Sequence, residues 1–342
     1  MPFSQPSRGD VHVNRPLTNI SIAFVQDESK FVASKVFPNI PVSKQSDQYF
    51  TYDRGAFNSD EMEERAPGTE SAGGNYTIGT DLYHAKNRAY HRNIPDVIRN
   101  NADSPINLDR EATLFLAHKG LINREVNWAA AYFVAGNPGD TWTFDVDGNA
   151  TASGAALDPT DAGNNQVLFW NDALSTPIED IRFLKRTILE STGFMPNTLT
   201  LGRPVFDALI DHPDMVGRVD RGQTGGTAMV NKAALAALFE LDDVMVMDAI
   251  QNTAEEGQTA VHSFIGGNNA LLTYKPSSAG LMTPSAGYTF SWTGNVGSGN
   301  DGMRVKRFRM EHLASDRVEI EMSYDQKLVA ADLGCMIGGI LL

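Results

Sequence analysis

Apolar residues recur at helical spacing through residues 107–135: Leu114 and Phe115, Leu121 and Ile122, Trp128 and Ala129, Tyr132 and Phe133. This is the longest helical pattern in the chain, roughly 40 Å at 1.5 Å per residue, and the other elements can be read around it. Ser104 and Pro105 form a turn ahead of it, and Asn107 is placed to cap it. Asp109 and Glu111 put negative charge in the first turn, where the helix dipole favours it. Gly136 and Pro138 stop it. A period of two marks another region: Val318, Ile320, Met322 and Tyr324 alternate with Arg317, Glu319, Glu321 and Ser323. That predicts a half-buried strand over 317–324, preceded by a second strand over 303–313.

Between these lies a compact αβ region. Thr176, Pro177, Ile178 and Glu179 read as a capping box with proline at the first helical position, and Ile181, Leu184 and Ile188 form one face of a helix ending near Gly193. A buried strand is predicted over 198–201. A helix follows from Pro204, with Val205, Phe206, Leu209 and Ile210, and ends at His212 and Pro213. Asn231 caps a helix running to 241, and strands over 244–247, 260–265 and 270–274 complete a small sheet. Short strands at 141–146 and 166–170 flank a loop rich in Gly, Ala, Asn and Asp, and 294–302 is a glycine-rich linker.

Ahead of the long helix the patterns are extended. Residues 1–40 are a proline-punctuated arm in which Arg8 and Arg15 flank short β-prone pieces and 33–37 has modest order. Residues 41–95 form a long two-stranded excursion: out along 48–52, back through Tyr76, Ile78, Leu82, Tyr83 and Tyr90. Its acidic tip carries Asp60, Glu61, Glu63 and Glu64, followed by Arg65. An isolated hairpin of this length is at best marginally stable in water, so the excursion packs either on its own domain or on another molecule, and the arm is either a disordered tail or a reach over a sister copy of the chain.

Composition narrows the function. The 342 residues are 42% hydrophobic and 20% charged, which suits a globular chain of about two domains. The net charge of −14 disfavours sequence-specific nucleic-acid binding. The single cysteine, Cys335, has apolar neighbours, rules out an intrachain disulfide and reads as a small core residue. No apolar run reaches the ~20 residues that a membrane-spanning helix requires. The nearest, 328–342, is shorter and contains Asp332, and the N-terminus lacks a signal-peptide pattern.

Chemical motifs are fragments only. Gly297, Gly299 and Gly302 match dinucleotide-loop spacing but precede a strand, leaving no helix N-terminus for a pyrophosphate. Asp145, Asp147 and Asn149 mimic the start of a calcium loop whose twelfth position is Ala156, which offers no carboxylate. His84 and His91 lack metal-ligand spacing, and the Glu255, Glu256 pair reads as a solvated loop. There is no nucleophile elbow, phosphate-binding loop or paired-cysteine motif. No catalytic, cofactor or metal residue is proposed. One contrast stands out: the acidic tip against the basic strand of Arg304, Lys306, Arg307 and Arg309. Like charges crowded on one strand call for solvent or an opposite surface.

In element order the chain resembles the major capsid proteins of tailed bacteriophages, with the α+β Hong Kong-type capsid fold. The resemblance spans essentially the whole chain. It also rests on 201–213, from Leu201, Gly202, Arg203 and Pro204 to His212 and Pro213, and on the ending Tyr324, Asp325, Gln326, Lys327, Leu328, Val329, Ala330, Ala331. It implies an N-terminal arm (1–40), an extended loop lying over a neighbour (41–95), a peripheral domain (96–175) with a spine helix (104–135), an axial domain (176–299), and return strands with a C-terminal segment (300–342). It further implies self-assembly into hexamers and pentamers of an icosahedral shell in the virion. Such a shell is assembled in the host cytoplasm and encloses double-stranded DNA without reading its sequence, with portal and decoration proteins as separate partners and scaffolding either a separate protein or dispensable. Two departures bear on this. No helical scaffolding segment precedes the arm, and no lysine lies between Arg54 and Tyr83 to crosslink a neighbour. Subunit contacts are expected at Asp60, Glu61, Glu63, Glu64 and Arg65 against Arg304, Lys306, Arg307 and Arg309 of an adjacent copy, with Arg8 and Arg15 in the arm. The alternatives are an encapsulin-type compartment shell, a soluble α/β hydrolase, and a β-rich adhesin or tail component.

Overall fold

The computed structural model describes residues 25–102, 106–136, 141–151, 157–220, 230–280, 282–297 and 302–342. Arg8 and Arg15 with the first part of the arm, Ser104 and Pro105, Pro138, Ala156 and the glycine run through 298–301 lie outside the described residues.

The described chain opens with a 3-10 turn, Glu28–Lys30, a single helical turn α1 (Ala33–Val36) and β1 (Asn39–Val42). β2 (Ser46–Tyr52) and β3 (Ile78–His84) are the two sides of the excursion, with α2 (Arg54–Asn58) just beyond β2. β4 (Lys86–Pro95) leads through α3 (Asp96–Asn100) to the long helix α4 (Leu108–Tyr132). Next come β5 (Phe144–Asn149), β6 (Gln166–Leu168), α5 (Pro177–Thr192), β7 (Thr198–Gly202), α6 (Arg203–Ile210), α7 (Pro213–Asp220) and α8 (Lys232–Phe239). β8 (Asp243–Met247), the hairpin β9 (Ile250–Asn252) and β10 (His262–Phe264), and β11 (Ala270–Thr273) follow. The chain returns through β12 (Gly287–Trp292), α9 (Thr293–Val296), β13 (Met303–Met310), β14 (Ser315–Leu328) and β15 (Gly334–Gly338).

Asn107 caps α4 as expected, its Oδ1 accepting the Arg110 N–H at 3.1 Å. The helix stops at Tyr132, short of the expected 135, because distant side chains take its last carbonyls. Trp142 Nε1 donates to the Tyr132 oxygen and Asn269 Nδ2 to the Phe133 oxygen, each at 2.9 Å. Its buried stripe also differs from the bulkiest apolar positions. Leu108, Ala112, Leu116, Gly120, Trp128 and Ala129 face inward, whereas Leu114 and Phe115 are 49% and 40% exposed. Small residues mark this face because the sheet beneath approaches closely: a Cβ at position 120 would lie 2.9 Å from Ile320 Cδ1.

Two sheets share α4. In the first, β14 is central. It pairs with β4 on one side and with β13 and then β12 on the other, and β1 adds in parallel to β12. The alternation predicted for β14 is present: Val318, Ile320, Met322 and Tyr324 are buried with Leu108, Ala112 and Leu116 of α4. The second sheet has the order β6-β5-β15-β11-β7-β8. One face of it, with Leu199, Leu201, Val244, Val246, Leu272 and Ile337, packs on Ile181, Leu184, Ile188, Val205, Leu209 and Leu235 of α5, α6 and α8. The opposite face, with Met245, Met247, Leu271 and Met336, packs on Trp128, Ala129 and Phe133 at the end of α4.

Sheet membership does not follow the boundaries expected at 175/176 and 299/300. β5, β6 and β15 join the strands of the compact region, while β12 joins β13 and β14. β12 and β15, absent from the sequence reading, are short and almost wholly buried, so neither shows an alternating pattern. The expected capping box also fails to form: Thr176 makes no side-chain cap, and Glu179 pairs with Arg218 instead. α6 ends at Ile210, just ahead of the stop expected at His212 and Pro213, and Pro213 begins a further helix, α7, that the pattern did not show.

The described part of the arm is neither a disordered tail nor only a reach over a sister copy. Phe31, Val32, Ala33, Val36 and Phe37 are buried in the chain's own core, and β1 is a strand of its own sheet. Phe37 meets Trp128 edge-on at 5.7 Å, and its ring lies so close to Gly287 that a Cβ there would be 2.4 Å from it. The buried Glu125 carboxylate accepts N–H bonds from Val32 at 3.0 Å and Ala33 at 2.8 Å, fastening this segment to α4. Gln26 exchanges two hydrogen bonds with the backbone of Ile250.

Two outcomes follow for this segment. Gly287→Ala should lower unfolding stability by about 1–3 kcal/mol, the range for an overpacked core, measured by denaturant titration of unassembled protein. Burial pushes the Glu125 carboxyl above its ordinary 4.5, against the pull of the two backbone N–H groups. Its contribution to stability is therefore complete below that value and lost as pH rises through the raised one. The stability of wild type relative to Glu125→Gln should fall along that rise, read from melting curves across pH.

Candidate subunit interface

The excursion is rooted on its own chain and, among the described residues, its outer face and tip stay exposed beyond the root. β2 and β3 pair antiparallel from Ser46↔His84 to Tyr52↔Ile78, which fixes two faces. On the inner face Tyr83 and Tyr49 stack on Phe290 of β12, with ring centroids 4.7 and 5.6 Å away. Tyr49 donates to Asp81 at 2.7 Å, which holds the Asp81 carboxyl below the usual range, while burial and then this bond push the Tyr49 phenol up. Lys327 also reaches Asp81, at 3.3 Å, and the His84 N–H donates to Asp325 at 3.0 Å. Further out, Arg54 meets Asp332 at 2.7 Å. The outer face carries Phe50, Ile78 and Leu82, all more than half exposed, and Tyr52, Phe57 and Tyr76 cluster beside them. A contiguous exposed apolar face of this kind marks an interaction surface. The alternation of Ile78 and Leu82 with Asp81 and Tyr83 held that signal in the sequence.

At the tip, Asp60, Glu61, Glu63, Glu64 and Arg65 are exposed. Glu61 accepts from the Ser59 hydroxyl at 2.9 Å and Arg65 donates to the Thr69 carbonyl. None of the four carboxylates makes an ion pair among the described residues.

The basic strand is matched within its own chain. Arg304 and Lys306 both bind Glu321, the first at 3.0 Å. Burial raises the Glu321 carboxyl, but the two cations pull it below its ordinary value. Arg307 binds Asp316 at 2.7 Å and Asp109 at 3.2 Å, and Arg309 binds Asp96 with 2.6 Å between Nη2 and Oδ2. Arg99 closes the network, reaching Asp109 at 2.9 Å and Asp316 at 2.8 Å. The Arg307 hydrogen bond holds the Asp316 carboxyl below its ordinary range. These carboxylates come from α3, α4 and β14, so the crowding on β13 locks its own sheet to the start of α4. The structure does not bring tip and basic strand together in one chain.

One arrangement mimics an enzyme site. Ser175 and His212 are both buried and lie 3.0 Å apart. His212 Nδ1 accepts the Asp214 N–H at 3.2 Å, so the ring proton sits on Nε2, which faces Ser175 and the Asp172 carbonyl. The Ser175 hydroxyl itself donates to that carbonyl at 2.8 Å. A histidine already protonated toward the serine does not act as its base; the pair ties the turn before α5 to the turn before α7. Among the described residues no group of three or more His, Cys, Asp or Glu is placed to hold a metal ion, and no helix is long and apolar enough to cross a membrane.

No family model matches the chain. It is 26% identical over 329 residues to the major capsid protein of Pseudomonas phage JBD67, covering 94% of this chain and 95% of that one. Over 171 residues it is 28% identical to the major capsid protein of Burkholderia phage BcepMu, covering 48% and 51% of the two chains. Among solved structures, a phage-related protein from Bordetella bronchiseptica superposes with a TM-score of 0.62 at 18% identity, covering 92% of this chain and 94% of that one. The capsid of cyanophage P-SCSP1u gives 0.58 at 11% identity, covering 98% and 99%. The encapsulin of Synechococcus elongatus gives 0.54 at 12%, covering 95% and 94%. The alignment with the JBD67 major capsid protein runs along almost the whole of both chains, and the fold is the one that the solved phage capsids share.

Proposed function

We propose that many copies of this chain close into an icosahedral head shell around double-stranded phage DNA, with the excursion of each copy lying over a neighbour. The observation that carries this reading is the excursion itself. It is rooted on β12 and β14, yet it presents an apolar outer face and an acidic tip that nothing covers among the described residues. Specific interfaces bury ~1,200–2,000 Å², and an arm and a loop reach that area through several neighbours at once. Single exposed ion pairs are worth only ~0–1 kcal/mol, but simultaneous contacts multiply.

On this reading the first sheet with α4 is the peripheral domain, the second sheet with α5–α8 is the axial domain grouped about fivefold and sixfold positions, and β2 and β3 form the extended loop. The arm ahead of residue 25, with Arg8 and Arg15, reaches an adjacent copy. Portal and decoration proteins are separate partners, scaffolding is either a separate protein or dispensable, assembly takes place in the host cytoplasm, and the finished shell is part of the virion. A wall of chains at −14 each confines DNA without gripping it. The encapsulin reading shares the fold but not the sequence relatives; DNA inside purified particles favours the head shell, and enzyme cargo favours the compartment.

Purified wild-type protein should sediment as large particles, seen as closed shells by negative stain, and a species remaining monomeric or trimeric under all conditions would refute the shell. Replacing residues 56–76 by a two-residue turn should leave a folded subunit that no longer forms shells.

A further inference from the structure

Matching the β13 cations internally leaves the acidic tip without its expected partner, and a different surface offers one. Lys86, Arg88 and Arg92 alternate along β4, so they share one face of that strand. Tyr90 lies on the same face, where its ring meets Phe115 of α4 at 6.4 Å. Lys119 lies over the Phe115 ring at 5.7 Å, and the Arg88 guanidinium over the Tyr324 ring at 4.9 Å. None of these four cations makes an ion pair among the described residues, in contrast to every cation named on β13. Among the described strands β4 pairs only with β14, so this face sits at a sheet edge. Tyr90 is 53% exposed, and Leu114 and Phe115 are exposed beside it.

The tip is its complement in charge and shape. Its four carboxylates surround Met62, which is 94% exposed, and a thioether packs well against aromatic rings. Within one chain the two surfaces point apart. Only Ala85 separates β3 from β4. β14 pairs with β4 up to Tyr324↔Lys86, and its next residues, Asp325 and Lys327, meet His84 and Asp81 of β3. The hairpin therefore continues the line of β4 away from it. At ~3.3 Å per residue, β3 alone carries the tip about 20 Å beyond Ala85. Complementary surfaces at opposite ends of one line make a head-to-tail contact, the kind that closes rings.

We propose that the tip of one copy, with Asp60, Glu61, Glu63 and Glu64, docks on the strip of Lys86, Arg88, Arg92 and Lys119 in the next copy, with Met62 against Tyr90 and Phe115. This inference rests on the shell reading and names the surface that receives the loop. It moves the expected contact from β13 to β4, and the favoured occupant is a second copy because the chain itself supplies the complementary half.

The test is a charge swap, with wild-type shells as the reference. Glu63→Lys with Glu64→Lys should cut sedimentable shells about tenfold or more, as lost multivalent contacts do, and so should Lys86→Glu with Arg92→Glu, which spares the Arg88 stacking. Combining all four should restore shells, whereas combining the tip reversal with Arg304→Glu and Lys306→Glu should not. Rescue by the β13 changes would overturn the proposal. So would a β4 variant that forms shells in normal yield, or that forms shells but packages less DNA, the behaviour of a DNA-facing strip. If the reversed variants do not fold, Met62→Cys with Tyr90→Cys reports independently. Cys335 is buried, so disulfide-linked multimers on a non-reducing gel come from the new pair, and their absence from assembled shells would refute the contact. Wild type forming no shells would sink the shell reading itself; wild-type shells without rescue or crosslink would sink only this docking.

Discussion

A single helix serves two cores, and the rest of the molecule depends on that constraint. The first half of α4 lies on Val318, Ile320 and Met322 of β14, and its last turns lie on Met245, Met247, Leu271 and Met336 of the second sheet. Neither sheet shifts against the other without breaking one of these contacts, because close-packed interiors tolerate little displacement. Phe37 and Glu125 seat the arm against the same helix. The result is a rigid subunit from which the hairpin projects, the shape that a component of a closed surface needs.

Electrostatics divides along the same line. Where charges are crowded, as on β13, the chain supplies its own carboxylates from three elements, and Asp96, Asp316 and Glu321 are held below their ordinary range by the cations beside them. At the loop tip and along the edge of β4 the charges make no ion pair among the described residues. The first arrangement holds a subunit together. The second is available for association, where exposed pairs contribute more to register and partner choice than to total affinity.

The chemistry points the same way. Cys335 is a buried thiol whose burial pushes its pKa well up, far from the exposed, electropositive setting of a reactive cysteine. The buried Ser175 and His212 are held in the wrong tautomer for proton abstraction. Ser175 and His212 fasten the turn before α5 to the turn before α7.

What the sequence determined by itself was local: the existence and capping of α4, the alternation of β14, the Asn231 cap of α8, the left-handed Gly193 that ends α5, and the two sides of the excursion. Each is written within a few residues as a period, a cap or a turn. What only the tertiary structure decided was which apolar residues are core. Leu114 and Phe115 turned outward while Ala112 and Gly120 turned in, because the sheet beneath, built from β14 some 200 residues later, comes so close at position 120 that a Cβ would meet Ile320. The same holds for the placing of β12 and β15, the seating of Phe37 on Gly287, and the pairing of Arg309 with Asp96 across 213 positions. Burial and charge matching are set by neighbours in space, and no local period carries their identity.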